Sequence, residues 1–123
     1  GLNRDQVELR LKQGQNRLRD IRQRRPSPVR DGKAVVSANG LAVRALARCG
    51  IWLNRPEYLR ESEKTAMFLL TSLRNEGGRL HHIWMNNRPH GKALLEDYAT
   101  TIQGLLALFQ ATADEKWLRY ENV

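Results

Sequence analysis

The sequence predicts an all-α protein whose helices lie in two layers, and three features carry that expectation. Stretches with helical apolar spacing alternate between richly charged and nearly uncharged. Prolines and glycines fall at their ends. A segment near residue 32 is also echoed near residue 91. A helix with almost no charge around its circumference needs covering on several sides, whereas a charged one keeps a wet face. The uncharged helices therefore belong inside and the charged ones outside.

The echo pairs "GKAVV" at 32–36 with "GKALL" at 91–95. Holding the offset of 59 without gaps gives six identities in 33 aligned positions, Leu46 with Leu105 and Arg60 with Arg119 among them. One unit, made of a linker, an inner helix and the outer helix after it, then occurs twice.

Asn3 to about Arg25 reads as the first, outer helix. Val7, Leu11, Leu18 and Ile21 form a narrow stripe among charges, and Pro26 and Pro28 end it. Val35–Leu53 is the first inner helix; its only charges, Arg44 and Arg48, lie four apart on one edge. Pro56, suited to a first turn, opens an outer helix to about Leu73. In it Leu59, Ala66, Leu69, Leu70 and Leu73 face inward, and Arg60, Glu61, Glu63 and Lys64 face outward.

From Arg74 to Lys92 the helical period breaks. Gly77-Gly78 marks a turn, and "RLHHIWM" bent back at Asn86-Asn87 suggests a short β-hairpin near 79–92. Leu94–Ala111 is the second inner helix, with no charge between Asp97 and Asp114. Thr112 or Asp114 can cap a fifth helix anchored by Trp117 and Leu118. The long connections, 26–34 and 74–93, both lie at the N-terminal ends of the inner helices, the side where helical repeats commonly carry function.

A length of 123 residues fits a single domain, 41% hydrophobic and 28% charged. No apolar run approaches a membrane span and no signal pattern opens the chain, so a cytoplasmic protein is expected. A start at Gly1-Leu2 without an initiator Met suggests a tag scar or a piece of a longer protein. Cys49, the sole cysteine, reads as a small buried hydrophobe. The net charge of +8 is concentrated at the start: residues 1–33 hold ten basic and four acidic side chains.

Three stretches, "GKAVVSANGLAVRALARCG", "PEYLRESEKTAMFLL" and "LLEDYATTIQGLLALFQATADEKWL", resemble the thioredoxin-domain family that includes spermatogenesis-associated homologues. The family patterns, close to D-K-x-L-x-x-W-N-G-L and G-x-L-D-D-Y-A, fall on Lys33, Asn39, Gly40 and Leu41, then on Glu96, Asp97, Tyr98 and Ala99. Ala38 replaces the usual Trp and Glu96 the usual Asp. The resemblance implies a fragment of an (α/α)6 toroid, about two helical hairpins plus a flanking helix, similar to N-acylglucosamine epimerases and six-hairpin glycosidases. Six units would need on the order of 350 residues, so this chain would form part of a ring and be inactive alone. The remaining hairpins would be its partners, and a sugar the ligand of the whole.

Adjacent Glu96 and Asp97 point about 100° apart on a helix, so they cannot act together on one bond. Asp97 can cap a helix or serve a ligand, and both readings stay open. His81 and His82 could act as acid and base, yet strand alternation sends them to opposite faces. Asn39, Trp84, Arg88 and Tyr98 are ligand-binding candidates, with Trp84 able to stack on a sugar or simply to cover the inner helices. Nothing calls for a cofactor, and the absence of a nearby cysteine or an i,i+4 histidine argues against a metal site. "RLRDIRQRRPSPVR" invites nucleic acid, but without interleaved aromatics it reads as a solvated face. The favoured expectation is a carbohydrate-related protein of epimerase, isomerase or glycosidase type. The alternatives are a basic nucleic-acid-binding module or a helical protein-interaction module, and self-association is expected from the uncovered inner helices.

Overall fold

The computed structural model describes residues 3–119, which fall into two compact units divided after Asp31. The first is built on α1 (Arg4–Gln23). Asn3 and Gln6 close a capping box: Asn3 Oδ1 accepts the Gln6 N–H at 2.8 Å and Gln6 Oε1 accepts the Asn3 N–H at 3.1 Å. An Arg4–Glu8 pair at i,i+4 adds a little support. The sequence suggested an outer helix with a covered stripe. Instead no residue of α1 is buried, and Val7, Leu11, Leu18 and Ile21 are 40 to 70% exposed. Four apolar residues interrupted by Gly14 make too narrow a stripe to demand burial, and capping maintains the helix without it.

The second unit runs β1 (Ala34–Val35), α2 (Val36–Trp52), α3 (Pro56–Ser72), β2 (His81–Met85), β3 (Arg88–Lys92) and α4 (Leu95–Thr112). The fold is mostly helical, and the hairpin suggested near 79–92 is β2–β3. β1 corrects the all-α expectation further by extending that hairpin to a three-stranded antiparallel sheet ordered β1-β2-β3. The expected fifth helix is a single 3-10 turn, Glu115–Trp117, with Asp114 at its N-cap.

The helices form where the pattern placed them because apolar residues recur at helical spacing and the ends carry stop signals. Asn54 adopts a left-handed φ of 50° just past α2, and Pro56 then starts α3. Ala113, also left-handed at φ 54°, ends α4. In the hairpin, Asn86 and Asn87 both have positive φ, the geometry of a two-residue turn matched to strand twist.

α2 and α4 pack side by side and in parallel. Ser37 meets Asp97, Gly40 meets Thr100 and Thr101, and Arg44 Nη1 donates to Gln103 Oε1 at 2.9 Å, 59 positions on. The offset of the sequence echo has become the spacing of contacts between the two helices. Their seam joins Val43, Ala47, Leu105 and Leu108 with Ala66 and Leu70 of α3 and with Trp117, which is fully buried. Buried Ser62 ties α3 to α2 by donating to the Val43 carbonyl at 2.7 Å. A second cluster, Val36, Leu69, Leu73 and Leu80, lies beneath the sheet. Cys49 is half-buried and free, short of the full burial its apolar neighbours suggested.

Candidate functional site

The two long connections meet in the sheet. β1 comes from the first and β2–β3 from the second, with Ala34 opposite Trp84 and Val35 opposite Ile83. This brings β2 over the N-terminal ends of α2 and α4.

Asp97 stands at that junction, fully buried. Its Oδ1 accepts the Ser37 N–H at 2.9 Å, a free donor of the first turn of α2. Its Oδ2 accepts the Leu94 N–H at 2.8 Å and meets His82 Nδ1 at 2.7 Å. A carboxylate oxygen can only accept, so Nδ1 of His82 carries the hydrogen and donates it. One side chain therefore caps its own helix, caps the neighbouring one and orients a histidine. Nε2 of His82 has no hydrogen-bond partner among the described residues, and the ring is 32% exposed. A histidine with its Nδ1–H fixed by a buried carboxylate and its Nε2 open is arranged to accept or deliver a proton at one defined atom.

The other candidates separate. Glu96 is exposed, whereas Asp97 beside it is buried. His81 lies on the opposite face of β2, as alternation requires, and its Nδ1 donates to the Gly91 carbonyl at 3.1 Å. Trp84 shares the His82 face, packs edge-on against Phe68 with ring centroids 5.4 Å apart, and adjoins the cluster beneath the sheet. Asn39 turns back to donate to the Val35 carbonyl at 2.8 Å, still at the mouth of α2. The Tyr98 hydroxyl accepts the Leu80 N–H at 3.2 Å, and Arg88 is exposed on β3. No group of three or more His, Cys, Asp or Glu able to hold a metal occurs among the described residues. None of their helices is long and apolar enough to cross a membrane. Sequence reasoning named both Asp97 and His82 but missed their pairing, and it missed Ser37; the repeat offset, which aligns the mouths of α2 and α4, was the available signal.

The chain is a mostly helical protein built on two parallel, sequence-related helices whose mouths share one carboxylate. Over 98% of its length it is 29% identical to human spermatogenesis-associated protein 20, and to the rat and mouse proteins of that name. It is also 29% identical, over 89% of its length, to an uncharacterized protein of Caenorhabditis elegans. The chain spans 16% of the length of these relatives. No family model matches it. The similarity supports the link to spermatogenesis-associated homologues that the Asp97-Tyr98-Ala99 motif suggested.

Proposed function

We propose that this chain is a segment of an (α/α)6 toroid in a longer protein of the family that includes spermatogenesis-associated homologues. On this reading the longer protein is carbohydrate-related, of epimerase, isomerase or glycosidase type. Its ligand cleft lies at the N-terminal ends of α2 and α4. The observation that carries it is the His82–Asp97 pair at that end, with Nε2 open. His82 is the acid–base group and Asp97 its positioning residue; Asn39 and Trp84 border the same end. In sugar chemistry the pair would move a proton to or from a carbon beside a carbonyl, or to a leaving oxygen. On this reading Glu96, exposed in the first turn of α4, and His81, on the other face of β2, stand outside the acid–base pair.

The segment by itself is inactive, because a cleft needs walls from other hairpins. The test incubates the full-length parent with aldoses, N-acyl amino sugars and glycans in D2O, following deuterium incorporation and release of reducing ends. Turnover that falls at least ~100-fold in His82→Gln supports the reading. Turnover by the 123-residue chain itself, above an Asp97→Asn control, contradicts it.

The fully solvated, Arg-rich α1 favours one alternative, a basic module that binds nucleic acid. A steep fall of oligonucleotide binding with salt would support it, and a shallow one would support the toroid.

A further inference from the structure

A cleft of about 330 Å³ opens where the 74–80 turn meets the start of β2, lined by Arg79, His81, Lys92 and Tyr98, with Leu80 and Ala93 as its apolar lining. His81 and Lys92 are directly opposite in the β2–β3 register, so their side chains share a face. Two basic residues facing each other across strands gain nothing from one another. No acidic side chain lines the cleft to offset them.

Neither the Arg79 guanidinium nor the Lys92 ammonium makes a hydrogen bond or ion pair among the described residues, although the main chain of Arg79 is held firmly. Its N–H donates to Asn75 Oδ1 and its carbonyl accepts the Asn75 N–H, both at 2.9 Å. The Tyr98 oxygen accepts from Leu80, which leaves the phenolic hydrogen for another acceptor. His81 Nδ1 must donate to the Gly91 carbonyl, so only Nε2 faces a ligand. Two unneutralised positive side chains and a hydroxyl hydrogen thus border one opening beside an apolar lining.

We propose that this cleft binds a small phosphate-bearing anion. Arg79 and Lys92 contact the phosphate oxygens, the Tyr98 hydroxyl donates a third hydrogen bond, and Leu80 and Ala93 accommodate a short carbon skeleton. Guanidinium and phosphate match in geometry, and charge-assisted bonds are the stronger kind. The cleft is at the small end of ligand sites, which suits a compact monoester and not a polymer. Neither His82 nor Asp97 lines it, so the site is separate from the acid–base pair and does not depend on the toroid reading.

The test titrates the whole chain with inorganic phosphate and, separately, with glycerol phosphate at constant ionic strength, following amide resonances. Saturable shifts centred on His81, Lys92, Ala93 and Tyr98 are expected, with Arg79→Gln and Lys92→Gln each weakening binding about tenfold. Arg10→Gln on α1 should leave binding unchanged. Tighter binding of glycerol phosphate identifies an ester as the ligand class, and equal binding identifies phosphate itself. Shifts that never saturate, or an Arg10→Gln loss equal to that of Arg79→Gln, would mean diffuse attraction and overturn the site. Both cleft substitutions are at exposed positions, and an unchanged amide spectrum without ligand verifies that each variant is folded.

Discussion

Gly104 faces Gly40 across the α2–α4 seam so closely that a β-carbon on Gly104 would stand 3.0 Å from the Gly40 carbonyl oxygen. A β-carbon on Gly40 would lie 2.7 to 2.9 Å from main-chain atoms of Thr100 and Thr101, which have no room to yield. Gly40→Ala is therefore expected to cost about 3 kcal/mol by forcing the helices apart. Gly104→Ala should cost less, about 1–2 kcal/mol, because its nearest neighbours stand 3.0 to 3.1 Å away and need to give less. Gly14→Ala on α1, with nothing within 4 Å, should instead raise helicity by about 0.5–1 kcal/mol. Urea unfolding followed by far-ultraviolet circular dichroism orders the three, and equal effects at Gly40 and Gly14 would contradict the seam.

Removing the Asp97 carboxylate strands two main-chain donors at once, those of Ser37 and Leu94. Asp97→Ala should destabilise by about 3–5 kcal/mol, and His82→Ala by about 1–2 kcal/mol, since it removes one donor from a still-capped carboxylate. A double-mutant cycle should return a coupling of about 1 kcal/mol or more. Nitrogen chemical shifts of His82 provide a direct check: the neutral ring should carry its proton on Nδ1. A proton found on Nε2 would rule out the arrangement on which the proton-transfer role depends.

The helix ends differ in how well their residues suit the left-handed conformation. Asn54 tolerates it through its short polar side chain, while Ala113 at φ 54° bears the Cβ strain unrelieved. Ala113→Gly should stabilise the chain by about 1 kcal/mol, and Asn54→Gly should change little. Paired denaturation curves decide this, and stabilisation by both to the same extent would remove the contrast.

The fold was legible wherever the signal is local. Val35–Leu53 was expected and Val36–Trp52 is helical, and Pro56 opens α3 as anticipated; proline, glycine and apolar spacing are enough to bound such elements. The Asn86-Asn87 bend was legible because two consecutive asparagines after a strand-like run are a turn signal in themselves. β1 was not, since two residues show no period until β2 is beside them. The fate of α1 was not either, because an apolar stripe indicates what could be covered and not whether anything covers it. At the site, Asp97 was visible as a first-turn carboxylate. Its bond to Ser37, 60 residues away, depends on how α2 and α4 align. His82 carried only the alternation of a strand, which separates it from His81 without saying which histidine turns inward.

Acid should loosen the C-terminal 3-10 turn. The Lys116 ammonium, 2.7 Å from Asp114 Oδ2, and then the Lys116 N–H on Oδ1 hold the Asp114 carboxyl below its usual range. The folded value is lower than the unfolded one, so the ionised group stabilises the fold above the ordinary carboxyl range. That contribution is lost as pH falls through the folded value. Amide exchange at Trp117 and Leu118 should therefore accelerate, relative to the intrinsic rate, as pH drops below about 4. Asp114→Asn should abolish the acceleration. If the variant keeps the same pH profile, another group controls the turn.

α2 and α4 bury one side and leave the other open. Leu41 and Trp52 on α2 are 51 and 74% exposed, and Leu95 and Leu106 on α4 are 85 and 39% exposed. Soluble chains seldom leave this much apolar side chain on adjoining helices uncovered, so the flank should draw chains together as concentration rises. Light scattering should show mass increasing with concentration. Leu41→Lys combined with Leu106→Glu should suppress the increase without lowering stability, because both positions lie outside the buried seam. The opposite charges exclude simple net-charge repulsion as the cause. A strict monomer in the unmodified chain, with slow amide exchange along both helices, would mean that α2 and α4 need no neighbour. The toroid reading would then lose its physical reason, since an inner helix content with solvent on one side is an ordinary surface helix.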